Sequence, residues 1–132
     1  MPRQAGLEES FFTVEVETQA PPQDAVSFAR AVILAICKAS VAPRVGRLTY
    51  ERCLRALASG STARLGFRHP GKADAVDEIW RERDRLYREY CMSADKLGFL
   101  TTLPWIGPVT LQSLAWDLGI LNDRGQEHRK VA

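Results

Sequence analysis

The chain has 132 residues, 45% hydrophobic and 26% charged, with a net charge of +2. That length bounds it to one domain, or one domain plus a tail, and is enough to bury a sizeable core. The composition is that of a globular protein, and no apolar run approaches a membrane span: the longest, Ala31 to Cys37, is too short.

Met1-Pro2-Arg3 is followed by no apolar stretch of the signal-peptide kind, so a cytoplasmic location is expected. Cys37, Cys53 and Cys91 are scattered and form no CxxC pair. That argues against a disulfide framework and against zinc or iron-sulfur binding, and reduced thiols in or near a core are expected. His69 and His128, the only histidines, have no ligand partner in register, so no metal site is assigned. Phosphate-loop, dinucleotide and nucleophile-elbow fingerprints do not occur.

The charge becomes informative once it is divided along the chain. Residues 1–29 carry five acids and one base; residues 30–72 carry nine bases and one acid, Glu51. A local excess of that size seeks a polyanion through counterion release. The other reading is a solvated face partly neutralised by the acidic N-terminus.

In chain order, residues 1–23 read as an acidic arm. Within it, Phe12-Thr13-Val14-Glu15-Val16-Glu17 alternates apolar and polar side chains, the period of one short strand or extended segment. A single strand makes no sheet, so this segment is expected to pack on helices or to meet another chain, and a homodimer or protein partner through it is conceivable. Pro21-Pro22 closes the arm, and residues 24–132 form the helical domain. Asp24 caps a helix over 25–40 that is apolar nearly all round, the expected central helix. Pro43 and Gly46 end that stretch. Thr49 caps a second helix over 50–58, stopped by Ser59-Gly60-Ser61. Pro70-Gly71 marks a turn, and a third helix over 72–91 carries Val76, Ile79, Trp80, Leu86, Tyr87 and Tyr90 on one stripe. Ser93 caps a fourth over 94–102. A fifth runs from Pro108 to Leu118, with Gly119 as its left-handed stop. The fold class is all-α.

The segment 94–119 holds the sharpest motif. A short helix ends in Leu103-Pro104-Trp105-Ile106-Gly107, and a new helix begins at once with Pro108-Val109-Thr110. A glycine at a helix N-terminus permits close approach of a phosphate. The free N–H groups and the positive dipole end attract it. The amides of Gly107, Val109 and Thr110 are the expected donors, with Leu103 and Ile106 pinning the two helices together. Arg64, Arg68 and Lys72 are the expected neighbouring cations.

These residues resemble the helix-hairpin-helix of DNA repair proteins. The order of a buried helix, the "GFRHPGKADAV" helix entry and the hairpin resembles the helix-hairpin-helix DNA glycosylase superfamily over roughly residues 25–130. The resemblance implies contact with a DNA backbone and a monovalent cation held by the loop carbonyls, with no other cofactor. Two departures stand out. The first loop glycine of the family motif is Trp105 here, a side chain that instead packs under the hairpin or wedges into a groove. The lysine nucleophile of the strand-cleaving members is Val109, so Schiff-base chemistry is not expected.

The family's catalytic aspartate, usually just before a histidine, falls on Gln126 when His128 is aligned. Gln cannot act as a base. Glu127 and Asp123 are the only nearby substitutes. Three readings follow: a DNA-binding protein with impaired or absent catalysis; a monofunctional glycosylase using Glu127 or Asp123; and a helical interaction module that never meets nucleic acid. A damaged-base duplex assay separates the first two, and the salt dependence of DNA binding separates both from the third.

Overall fold

The computed structural model describes residues 20–120, which form six α-helices and one 3-10 turn, with no strand among them. Helix α1 (Ala25–Lys38) starts where the Asp24 carboxylate accepts the Ser27 N–H at 2.8 Å. That bond satisfies one of the orphan donors of the first turn. Phe28, Val32, Ile33 and Ile36 on α1 are fully buried. Each such side chain contributes about 1.5–3 kcal/mol relative to exposure. Helices α2 (Pro43–Ala58), α3 (Pro70–Arg81), α4 (Arg83–Met92) and α6 (Pro108–Asp117) all pack against α1. The short α5 (Lys96–Leu100) bridges α4 and α6. The central helix of the sequence reading is thus the hub of a compact all-helical domain.

Several expected boundaries are corrected. The second helix starts at Pro43, not at 50, and Thr49 lies inside it. Pro43 is a first-turn proline, where its missing N–H costs nothing and its fixed φ favours helix. Gly46, expected to end a stretch, is a packing residue. A Cβ there would lie 2.7 Å from the Cα of Lys38 and 3.1 Å from the Cys37 carbonyl oxygen, so its absence lets α1 and α2 approach backbone to backbone. The same contact places Cys37 of α1 by Cys53 of α2. Hydrogen bonding to Cys53, and then burial, pushes the Cys37 thiol up, which leaves it a poor nucleophile. Cys91 is exposed, and none of the three cysteines is bridged.

The third helix is two. It begins at Pro70 and breaks at Glu82. There the Arg83 guanidinium donates to the Trp80 carbonyl at 2.7 Å and stacks over the Trp80 ring at 4.2 Å, taking an acceptor the ladder would otherwise use. Val76, Ile79, Leu86 and Tyr90 remain on the core stripe across the break. Arg85 pairs with Glu82 and Glu89, at 3.0 and 3.1 Å. Helix α5 is shorter than expected because Asp95, not Ser93, supplies its cap, accepting the Gly98 N–H at 2.9 Å. Ser93 instead closes α4. The first helix ends at Lys38 and the last at Asp117, within two residues of expectation. Gly119 has φ +77, the left-handed stop the sequence called for.

The 3-10 turn (Ala63–Leu65) is tied to α3 through Asp77, whose carboxylate accepts the Thr62 hydroxyl and the Ala63 N–H. At the far end of α6, Asp117 faces Lys38 and Arg47. Burial outweighs their attraction and holds its carboxyl above the ordinary 3.8. The sign follows: stability contributed by the neutral acid is fully present below 3.8 and is lost as the pH rises through the folded value. Asp117→Asn should therefore raise the melting temperature at pH 7, with the gap closing as the pH is lowered towards 3.8. A gap that stays constant with pH would show that ionisation of this group is not responsible.

The acidic arm up to residue 19, with its alternating segment, lies outside the described residues. So do Asp123, Gln126, Glu127 and His128. No described helix is long and apolar enough to cross a membrane.

Candidate nucleic-acid interface

Three helices begin with proline, and Trp105 and Lys72 tie the entries of two of them, α3 and α6, to the end of α1, four residues before the third. Helix α6 starts at Pro108 after the hairpin-like turn 101–107, which follows α5 directly. Leu103 and Ile106 in this turn are buried, 6% and 8% exposed, and hold it onto the core. Pro104 between them is half-buried. Trp105 has φ +66, the left-handed conformation that a loop glycine takes without strain. For an L side chain this costs roughly 1–2 kcal/mol. Trp105 offsets that cost by contacts: its ring meets the edge of His69 at a centroid distance of 5.1 Å. It also lies against Gly71, where a Cβ would come within 3.2 Å of its Cζ2 atom. It neither packs under the hairpin nor stands free; it bridges the hairpin to the start of α3.

Helix α3 starts at Pro70, and His69 caps it through Nδ1, which accepts the Lys72 N–H at 3.2 Å. That bond requires an unprotonated Nδ1. Lys72 is buried, 7% exposed, and its ammonium donates to the Ala39 carbonyl at 2.7 Å. The same ammonium lies 5.8 Å from the Trp105 ring and 5.9 Å from the Phe67 ring. Ala39 closes α1 and is four residues from Pro43, the first residue of α2. Lys72 thus fastens the entry of α3 and the hairpin to the end of α1.

Neither α2 nor α6 has a side-chain cap. The first intrahelical bonds run from Gly46 to Ala42 and from Leu111 to Gly107. Earlier amides, those of Arg44, Val45, Val109 and Thr110, have no acceptor within their helices. Each uncapped end carries the equivalent of roughly half a positive charge. Gly107 and Val109 are exposed and Thr110 is half-buried. A Cβ on Gly107 would meet nothing within 4 Å, so the approach to these amides is open. Arg44 and Arg68 are exposed, and neither forms an ion pair with a described residue. This edge presents dipole ends, uncapped amides and two guanidinium groups that form no ion pair among the described residues.

The sequence-derived cations divide. Arg68 stays free. Arg64 is exposed but held in a two-pronged pair with Asp74, both bonds 3.0 Å. Lys72 is buried, with one of its three N–H donors given to the Ala39 carbonyl. Lys72→Met keeps the stem and removes the ammonium, stranding the Ala39 carbonyl. Urea denaturation should record a loss of about 1.5–3 kcal/mol, the range for a charged hydrogen bond. A neutral result would show that water replaces the ammonium at no cost.

Sequence reasoning missed the entry of α2 and the role of His69. The signal for the first was present, since Pro43 follows the same first-turn rule that placed Pro108. No local signal announces the second, because the Trp105 partner is remote in sequence. The aromatic candidates for a base pocket do not gather into one. Tyr90 packs on Phe28 at 4.8 Å, Tyr87 donates to the Pro22 carbonyl at 3.2 Å, and Trp80 lines a separate open depression with Thr62 and Arg81. Among the described residues, no three His, Cys, Asp or Glu side chains gather as metal ligands would. No family model, curated protein or solved structure matches the chain.

Proposed function

We propose that this domain binds the phosphate backbone of duplex DNA along the edge where α2, α3 and α6 begin, without chemistry on the DNA. The observation that carries the reading is the meeting of the α3 entry and the uncapped α6 entry at Trp105, fastened by Lys72 to the end of α1, with the uncapped α2 entry four residues further on. Phosphates accept from free first-turn amides, and dipole ends favour the negative charge. Arg44 and Arg68 add the point charges that give affinity without reading bases. Gly107 at the hairpin keeps the approach clear. This is the backbone-gripping role that the helix-hairpin-helix resemblance implies, and it does not depend on the family assignment.

A fluorescent duplex of 20–30 base pairs, titrated across a salt series, tests it. Binding should weaken with a log–log slope near −0.9 for each phosphate neutralised. No binding at low salt would overturn the reading. A protein partner held by apolar surface would show no such slope. The glycosylase reading stays separate: base release from damaged duplexes, lost on replacing Glu127 or Asp123, would establish it against the proposal made here.

A further inference from the structure

The outer face of α2 combines two features that water alone leaves unexplained. Val45 and Leu48 on α2 are 52% and 44% exposed, three residues apart and so side by side on the helix, and Val41, two residues before the helix, is 42% exposed. Arg44, Arg52 and Arg55 lie exposed on the same helix. Single exposed apolar side chains need no explanation, and Leu65 and Met92 are of that kind. Adjacent exposed apolar side chains with cations beside them suit an acidic, apolar segment.

This chain contains such a segment. Residues 8–17 carry Glu8, Glu9, Glu15 and Glu17, no base, and the apolar Phe11, Phe12, Val14 and Val16. The point of departure also fits. Ala20 lies against Gly119, 3.2 Å from where a Cβ would stand. Gly119 follows Asp117, whose carboxylate faces Lys38 and Arg47 at the start of α2. From Ala20 an extended chain covers roughly 3.3 Å per residue, so residues 11–16 reach about 13–30 Å away. Helix α2, at about 1.5 Å per residue, is about 24 Å long.

We infer that residues 8–17 dock on α2 of their own chain, with Phe12, Val14 and Val16 covering Val41, Val45 and Leu48 and the glutamates answering the arginines. The docked segment occludes the α2 entry and is self-inhibitory. This second step rests on the DNA reading; the docking does not. If the segment covers the face nine-tenths of the time, duplex binding is weakened about tenfold.

The test uses the full chain and a Phe12→Ser/Val14→Ser/Val16→Ser variant, which keeps every charge. Methyl NMR is expected to show contacts from the Phe12 ring to the Val45 and Leu48 methyls in the wild type, lost in the variant. The variant should also bind duplex up to about tenfold more tightly. Identical Val45 and Leu48 methyl resonances in the two chains would overturn the docking. Contacts seen only between labelled and unlabelled copies would overturn the intramolecular form and make a second copy the occupant. Methyl contacts with equal duplex affinity would overturn the inhibition alone. Methyl contacts with no duplex binding by either chain would support the docking and remove the DNA reading.

Discussion

Gly46→Ala should destabilise the domain by about 1–3 kcal/mol, at the upper end because the crowded atoms are mainly backbone. Helix propensity alone assigns the opposite sign, a gain of up to about 1 kcal/mol for replacing a helical glycine by alanine. The contest is decided by geometry. The new methyl would stand 2.7 Å from the Cα and 2.8 Å from the Cγ of Lys38, and 3.1 Å from the Cys37 carbonyl oxygen. The Cγ can swing away, but the Cα and the carbonyl cannot move without shifting α1. Helix α1 supports α2, α3, α4 and α6 together, so displacing it disturbs contacts throughout the core. Urea denaturation compares the two chains directly. A lower midpoint with unchanged slope is the expected result. A variant as stable as the parent would mean that α1 and α2 do not approach this closely.

Gly107→Asp should leave the fold intact and lower duplex affinity about tenfold or more, equivalent to about 1.4 kcal/mol. A Cβ at Gly107 meets nothing within 4 Å, and its φ of −87 suits any residue. Asp is also a better N-cap than Gly by a few tenths of a kcal/mol, so stability should rise slightly. The gain and the loss share one cause: the new carboxylate accepts the first-turn amides itself and places a negative charge where a phosphate would lie. Gly107→Asn separates the two contributions. It caps about as well and adds no charge, so it should weaken binding less than Asp. Equal affinity for all three chains would remove the α6 entry from the interface. Loss of affinity together with a lowered denaturation midpoint would mark Asp as damaging the fold instead.

These two glycines have opposite surroundings, and nothing local in the sequence distinguishes them as contact and opening. Each sits in the first turn or cap of a proline-started helix, Gly46 after Pro43 and Gly107 before Pro108. One faces a neighbouring helix and the other faces solvent. Which is which depends on how α1 lies against α2, a fact about packing partners remote from the turn itself.

What the sequence determined unaided was set by short-range physics. Its apolar periodicity specified an all-α fold with a helix over 25–40 at the centre, because a helix apolar nearly all round has nowhere to go but the core. Capping chemistry placed Asp24 at the start of α1, and turn chemistry placed Gly119 at the end of α6, because both satisfy orphan backbone groups within one turn of chain. The Leu103–Gly107 turn and its proline-started helix were legible for the same reason. The break at Glu82 was not read although its contact is local, the Arg83 side chain donating to the Trp80 carbonyl three residues back; what only the tertiary structure decided lies in contacts between remote residues. The role of Lys72 was decided in this way: a lysine that reads as a surface cation is buried against Ala39, a residue 33 positions away. The meeting of the α3 and α6 entries at Trp105 belongs to that class too. It depends on side chains meeting across the fold, and such meetings leave no period, spacing or cap for a linear reading to find.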